Sequence, residues 1–164
     1  MSSVAELSRA VRAGARVKFL FFWGHQPQRD GSIGAGCLSQ WWPAPFTLDG
    51  QRFATAEHHM MWRKATLFGD HATATKILTM AHPQAAKTLG RQVTGFDQQT
   101  WEQHRYDIVV AGNTTKFNQH PTLRTYLLGT GWQVLVEASP LDRVWASASP
   151  PTTHTPPTPH AGAG

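Results

Sequence analysis

The chain has one cysteine among its 164 residues and no long apolar run. Cys37 alone cannot form a disulfide within one chain, so we expect a reducing, cytoplasmic environment. No stretch approaches the roughly 18 apolar residues that a membrane span requires, and the N-terminus lacks the apolar block of a signal peptide. The sequence therefore predicts a soluble protein with no membrane partner.

The motifs of several common enzyme classes are also missing. GxSxG, the Walker glycine loop and GxGxxG do not occur, so serine hydrolases, nucleoside triphosphatases and dinucleotide-binding enzymes have no support. The adjacent His58 and His59 should point to different helix faces, and neither HExxH nor a Cys/His ligand spacing occurs. We therefore predict no metal site and no cofactor.

Basic residues outnumber acidic ones by 15 to 10, which gives a formal net charge of +5. They are scattered along the chain, with no run of Lys or Arg. A scattered positive charge gives only weak support for a phosphate-bearing substrate, and it does not define a nucleic-acid surface.

Composition divides the chain into three parts. Residues 1–16 read as an N-terminal appendage with three arginines, and residues 146–164 contain five prolines but no Asp, Glu, Lys or Arg. A segment of that composition cannot bury a core, so we expect residues 146–164 to be a disordered tail. Residues 17–145 remain as the single working domain.

Within that domain the pattern changes from strands to helices and back to a strand. We predict strands over residues 17–23 and 134–138, and a hairpin turn at Asp49-Gly50. Helices should begin at five capping or first-turn residues: Thr55, Asp70, Pro83, Asp97 and Pro121. This order predicts an α+β fold with a small β-sheet and several packed helices.

The helix that follows Thr55 carries two opposite charges on one apolar face. Glu57, Met60, Met61 and Lys64 occupy positions i, i+3, i+4 and i+7. A charge on an inward face is disfavoured unless it is paired or opens onto a cleft, so both charged residues are candidates for chemistry. The alternative is a helix with a Glu at its edge and a Lys whose ammonium reaches solvent.

The order of several sequence blocks closely resembles the NADAR domain, also called the YbiA-like family. The blocks are FFWGHQP, CLSQWWPAPFTLDG, TAEHHMMWRKATLFGD, LGRQV, FDQQTWEQHRYDIV, TKFNQHPTLRTYLLGTG and VLVEASPLDRVW. The resemblance implies a hydrolase of N-glycosidic bonds to ribose. Its substrates would be phosphoribosylamino-pyrimidine intermediates of riboflavin biosynthesis or ADP-ribosylated guanine in nucleic acid. A pocket that binds ADP-ribose or a nucleotide without cleaving it is the alternative.

The resemblance also implies roles for individual residues. It implies Glu57, Lys64 and Asp142 as catalytic residues, and five substrate-binding residues: Gln40, Trp41, Arg91, Trp101 and Trp145. Glu57 would stabilise positive charge at the anomeric carbon, and Lys64 would either protonate the leaving base or form an imine with the ribose. For any single Trp, a place in the core is the competing interpretation.

Two features depart from the family pattern. Gln40 stands where many members have asparagine, and the chain after Trp145 lacks the closing segment of the kind N-x-L-G-x-x-L-M. We therefore also consider a truncated, inactive member of the family. The sequence does not indicate which oligomeric state the protein adopts.

Overall fold

Six α-helices and four short strands make up the described part of the chain, residues 4–138 of a computed structural model. The helices are α1 (Val4–Arg12), α2 (Ala56–Leu67), α3 (His71–Thr79), α4 (Pro83–Gly90), α5 (Gln98–Gln119) and α6 (Pro121–Gly129). The strands are β1 (Phe19–Phe22), β2 (Phe46–Leu48), β3 (Gln51–Phe53) and β4 (Val134–Glu137), and a 3-10 turn spans Ala35–Leu38. The predicted α+β class is confirmed.

The strands form two separate pairs. β1 and β4, from opposite ends of the described chain, pair in parallel, with Phe19 opposite Val134 and Phe22 opposite Glu137. β2 and β3 form the predicted antiparallel hairpin. Its turn has a φ of 50° at Asp49 and 78° at Gly50, because a two-residue turn that follows the strand twist requires positive φ.

The predicted capping residues begin their helices. The side chains of Thr55, Asp70 and Asp97 each accept a hydrogen bond from the backbone N–H three residues further along the chain. Asp70 also accepts from the Thr94 backbone N–H at 3.0 Å, so it ties the segment after α4 to the start of α3. These bonds satisfy N–H groups that a helix start otherwise leaves free.

Helix α2 lies at the centre of the helical layer and packs against α3, α4 and α5. Its approach to α5 depends on Gly112, because a Cβ there would lie 2.5 Å from Nδ1 of the buried His59. The other face of α2 packs Met61 and Ala65 into a cluster with residues of α3 and α4. Both long faces of α2 are therefore fixed by neighbouring helices.

A second cluster packs the 3-10 turn and the residues after it against α5 and α6. Its buried members are Cys37, Leu38, Trp42, Ala44, Phe117 and Leu123. Cys37 is fully buried, and burial raises the pKa of its thiol, so the cysteine is a poor nucleophile and serves as an apolar core residue.

Several sequence predictions lie outside residues 4–138. These are the placements of Asp142 and Trp145, the domain end at residue 145 and the tail over residues 146–164. Within residues 4–138, no helix has both the length and the hydropathy needed to cross a bilayer.

Candidate active site

A cavity of about 230 Å³ lies against the face of α2 that carries the two predicted charges. Its lining residues are Gln40, Trp41, Glu57, Met60, Met61, Lys64, Lys87, Gly90, Arg91 and Glu137. All four residues of the predicted stripe on α2 contribute to it. The prediction that this face turns inward onto a cleft is confirmed.

Glu57 lies deepest among the charged groups, with only 3% of its surface exposed. Its Oε1 atom has no hydrogen-bond partner within residues 4–138. Burial raises the pKa of the Glu57 carboxyl, while Lys87, a hydrogen bond from the Trp41 side chain and Arg91 act in the opposite direction. Glu137 adds to the increase through like-charge repulsion. The carboxyl therefore has an unused acceptor and a raised affinity for a proton.

Lys64 reaches the same cavity from one end of α2, but its ammonium is held by aromatic rings. Nζ lies 4.1 Å from the ring centroid of Phe96 and 5.6 Å from that of Trp101. Burial lowers the pKa of Lys64, so the neutral, nucleophilic amine is easier to form than on an exposed lysine. Trp101, predicted to bind substrate, does not line the cavity and contacts Lys64 instead.

Two cations from α4 form the opposite wall. Lys87 and Arg91 are four residues apart, so they project from the same side of the helix end, and both line the cavity. Lys87 also lies over Trp41, with Nζ 5.6 Å from the ring centroid. Arg91 was expected from the sequence and Lys87 was not, although its i, i+4 relation to Arg91 on the predicted helix was a usable signal.

The loop before β2 brings Gln40 and Trp41 to the cavity. The Glu57 backbone N–H donates to the Gln40 carbonyl at 3.0 Å, which joins this loop to the first turn of α2. The Oε1 atom of Gln40 is buried and unpartnered within residues 4–138, and its Nε2 lies 3.8 Å from the Met60 sulfur. Two unpaired acceptors, on Gln40 and Glu57, thus belong to one small cavity.

Glu137 enters the cavity from β4, far along the chain from the other lining residues. Its position depends on the pairing of β4 with β1, which the sequence did not predict.

A cluster of aromatic rings near this site joins Trp41 to His25 and His82, whose ring centroids lie 5.6 Å and 6.0 Å from that of Trp41. Neither histidine was singled out from the sequence.

The fold and the residues of this cavity can be compared with those of known proteins. The sequence model of the NADAR domain family matches residues 21–162 of this chain. The chain belongs to the NADAR domain family. The match extends beyond Trp145, the domain end expected from the sequence.

Individual relatives agree with this membership. N-glycosidase R617 of Acanthamoeba polyphaga mimivirus is 41% identical over 133 residues, which cover 78% of this chain and 76% of that protein. An N-glycosidase of Nostoc punctiforme is 33% identical over 110 residues, covering 67% and 70% respectively. The NMR structure of Escherichia coli YbiA matches with a TM-score of 0.60 and 26% identity, over 83% of this chain and 77% of that one. This NADAR protein therefore has a YbiA-like fold, and its relatives include proteins named as N-glycosidases.

Proposed function

We propose that this chain hydrolyses the N-glycosidic bond between a ribose and a nitrogenous base. The observation that carries the proposal is the Glu57 carboxyl, buried at a cavity with one oxygen unpaired and with the Lys64 side chain on the same wall. Burying a carboxyl group without a full set of partners is costly. A ligand that develops positive charge beside it would use the otherwise unpaired oxygen.

Glu57 is proposed to act on the sugar. Breaking a bond from the anomeric carbon to nitrogen leaves positive charge on that carbon and on the ring oxygen. A carboxylate fixed nearby stabilises this charge most where water is excluded, and Glu57 is almost fully buried. Its raised pKa also suits a group that takes up and returns a proton during the reaction.

Lys64 is proposed to act as the nucleophile. Its neutral amine attacks the anomeric carbon, the bond from that carbon to the base breaks, and the base leaves with a proton. The resulting glycosyl-lysine opens to an imine, and water then hydrolyses the imine to release the sugar and the free amine. The alternative role, protonation of the leaving base by the Lys64 ammonium, requires no covalent adduct.

Lys87 and Arg91 are proposed to bind a phosphate of the substrate. Both candidate substrates, a ribosylamino-pyrimidine phosphate and ADP-ribosylated guanine, carry phosphate groups, and two cations one helical turn apart suit such an anion. Gln40 and Trp41 would contact the sugar or the base from the facing loop. Trp101 would act through the Lys64 ammonium that it contacts.

The resemblance adds Asp142 and Trp145, which lie outside residues 4–138. We propose that Asp142 positions water or binds ribose hydroxyls, and that Trp145 stacks on the base or the sugar ring.

Turnover tests the proposal directly. The protein is incubated separately with a ribosylamino-pyrimidine phosphate and with guanine-ADP-ribosylated DNA, and the free base and free sugar phosphate or ADP-ribose are measured. We expect release from one of the two substrates, and loss of release in Glu57→Gln. Glu102→Gln removes an exposed carboxylate from α5 and serves as the control. Tight binding of either compound without product would instead support a binding module.

A further inference from the structure

Lys116 on α5 is fully buried, yet it does not line the candidate active site. Its Nζ donates hydrogen bonds to the backbone carbonyl oxygens of Cys37 at 2.7 Å and Ser39 at 2.8 Å. The Phe117 ring lies 4.9 Å from the same nitrogen. Burial lowers the pKa of Lys116 to about 8. An ammonium placed in the core in this way opposes folding unless its bonds offset the loss of hydration.

The two carbonyls belong to the segment that supplies one wall of the cavity. Gln40 and Trp41 follow Ser39 directly, and both line the cavity together with Glu57. The Gln40 carbonyl accepts from the Glu57 backbone N–H at 3.0 Å, and the Trp41 side chain lines the same cavity as the Glu57 carboxyl. The loop is thus held between a lysine on one side and the proposed catalytic glutamate on the other.

Burying a charged side chain in the core costs free energy, because the charge loses its hydration. A well-packed apolar side chain at a buried position is often as stabilising as a buried ion, or more so. The ammonium instead fixes the loop in place. Its two short hydrogen bonds to carbonyls 77 and 79 residues away along the chain set the position and orientation of the loop against α5. That orientation decides where the Trp41 side chain lies in the cavity wall.

We propose that Lys116 is a positioning residue for the active site, which holds the segment from Cys37 to Trp41 so that Gln40 and Trp41 lie in the cavity wall beside Glu57. It acts through that segment and does not touch the substrate. The inference rests on the proposed N-glycosidase function for its kinetic consequences. Its structural consequence, the placement of Trp41, stands independently of any activity.

The test compares Lys116→Met, which keeps most of the side-chain volume but no donor, with Lys116→Arg, which keeps the charge. Trp41 is observed by fluorine NMR after incorporation of 5-fluorotryptophan, and its resonance is assigned by its absence from Trp41→Phe. We expect the Trp41 resonance to move in Lys116→Met and to return towards its original position in Lys116→Arg. Leu123→Ala is the matched control, because it weakens the same core cluster from α6 and keeps both the Lys116 side chain and the Phe117 ring beside it.

Kinetics supply the second measurement. We expect kcat of Lys116→Met to fall about 10-fold to 100-fold, as when supporting contacts of a site are lost, with a smaller change in KM. The pH below which activity is lost should rise in Lys116→Met, as in Trp41→Phe, because Trp41 lowers the pKa of the Glu57 carboxyl and either change takes the Trp41 side chain from its place. The double variant Lys116→Met/Trp41→Phe should show no further rise.

Three results would overturn the proposal. The first is an unmoved Trp41 resonance and an unchanged pH profile in a folded Lys116→Met. The second is an equal shift in Leu123→Ala, which would trace the effect to lost stability. The third is failure of both Lys116 variants to fold, which would make the ammonium a requirement of the whole fold. A wild-type protein without turnover would refute the proposed function and leave the fluorine measurement to decide the role of Lys116.

Discussion

Replacing Glu57 by glutamine should separate the function of this residue from its contribution to the fold. The substitution keeps the size and shape of the side chain and removes the charge that would stabilise the transition state. Loss of one fixed stabilising group of this kind costs at least about 10²-fold in kcat, or about 2.7 kcal/mol of barrier. We expect that loss or more, because Glu57 is buried with only 3% of its surface exposed.

The same substitution should raise the stability of the protein near neutral pH. Glu57 carries a charge in a largely dry site and has an unpaired oxygen, and its raised pKa shows that folding favours the neutral form. The folded state therefore binds a proton more readily than the unfolded state, so the charge reduces stability as the pH rises through the folded pKa. A neutral amide should recover about 1 kcal/mol, which corresponds to a few degrees in the melting temperature.

Calorimetry at about pH 7.5 and at about pH 4 checks the stability change, because protonated Glu57 and glutamine should differ little at the acidic pH. Glu102→Gln should leave both activity and melting temperature unchanged. A folded Glu57→Gln with near-full activity would refute the assigned role and move it to Glu137, which lines the same cavity, or to Asp142. A variant that is less stable at neutral pH would refute the account of the buried charge.

Four further outcomes can be measured. Borohydride added during turnover should leave a reduced sugar adduct on Lys64, and its absence by mass spectrometry in an active preparation would exclude the imine. Lys87→Gln should raise the KM for a phosphate-bearing substrate about tenfold more than the KM for a phosphate-free analogue, because the analogue reports only the effect of Lys87 on Glu57 and Trp41. Gly112→Ala should destabilise the protein by about 1–3 kcal/mol in urea unfolding, because the new Cβ would lie 2.5 Å from His59. Gly129→Ala, which has open space around it, should not. Burial lowers the pKa of His59 to about 4, so the unfolded state binds a proton first as the pH falls below about 6.5. As the pH falls from about 6.5 to about 4, the free energy of unfolding should therefore decrease by about 3 kcal/mol. In His59→Gln this decrease should be smaller.

Local sequence patterns predicted the starts of the helices α2 to α6, the hairpin turn and the two central residues of the candidate site, Glu57 and Lys64. Each cap and the Asp49-Gly50 turn involve residues within a few positions of one another, so their geometry follows from the neighbouring sequence. Glu57 and Lys64 are on one helix, and helical periodicity alone brings their side chains to the same cavity.

Other members of the site depend on contacts across the fold. Lys87 and Arg91 face Glu57 because α4 packs against α2, and Glu137 joins them from β4. No sequence period relates residues on separate elements, so periodicity could not predict their meeting, and only Arg91 was expected, through the family resemblance. The same holds for Trp101, where the structure shows a contact to the Lys64 ammonium that the sequence did not indicate.

The sequence by itself determined where α2 to α6 begin, although not α1, and that one helix presents a carboxylate and an amine on a single inward face. Tertiary structure alone decided that Lys116 bonds the loop carrying Trp41 and that this loop lines the cavity together with Glu57. The reason is physical: backbone preference and helical period act over a few residues, whereas a buried ammonium finds carbonyls 77 and 79 residues away only when packing has placed them there.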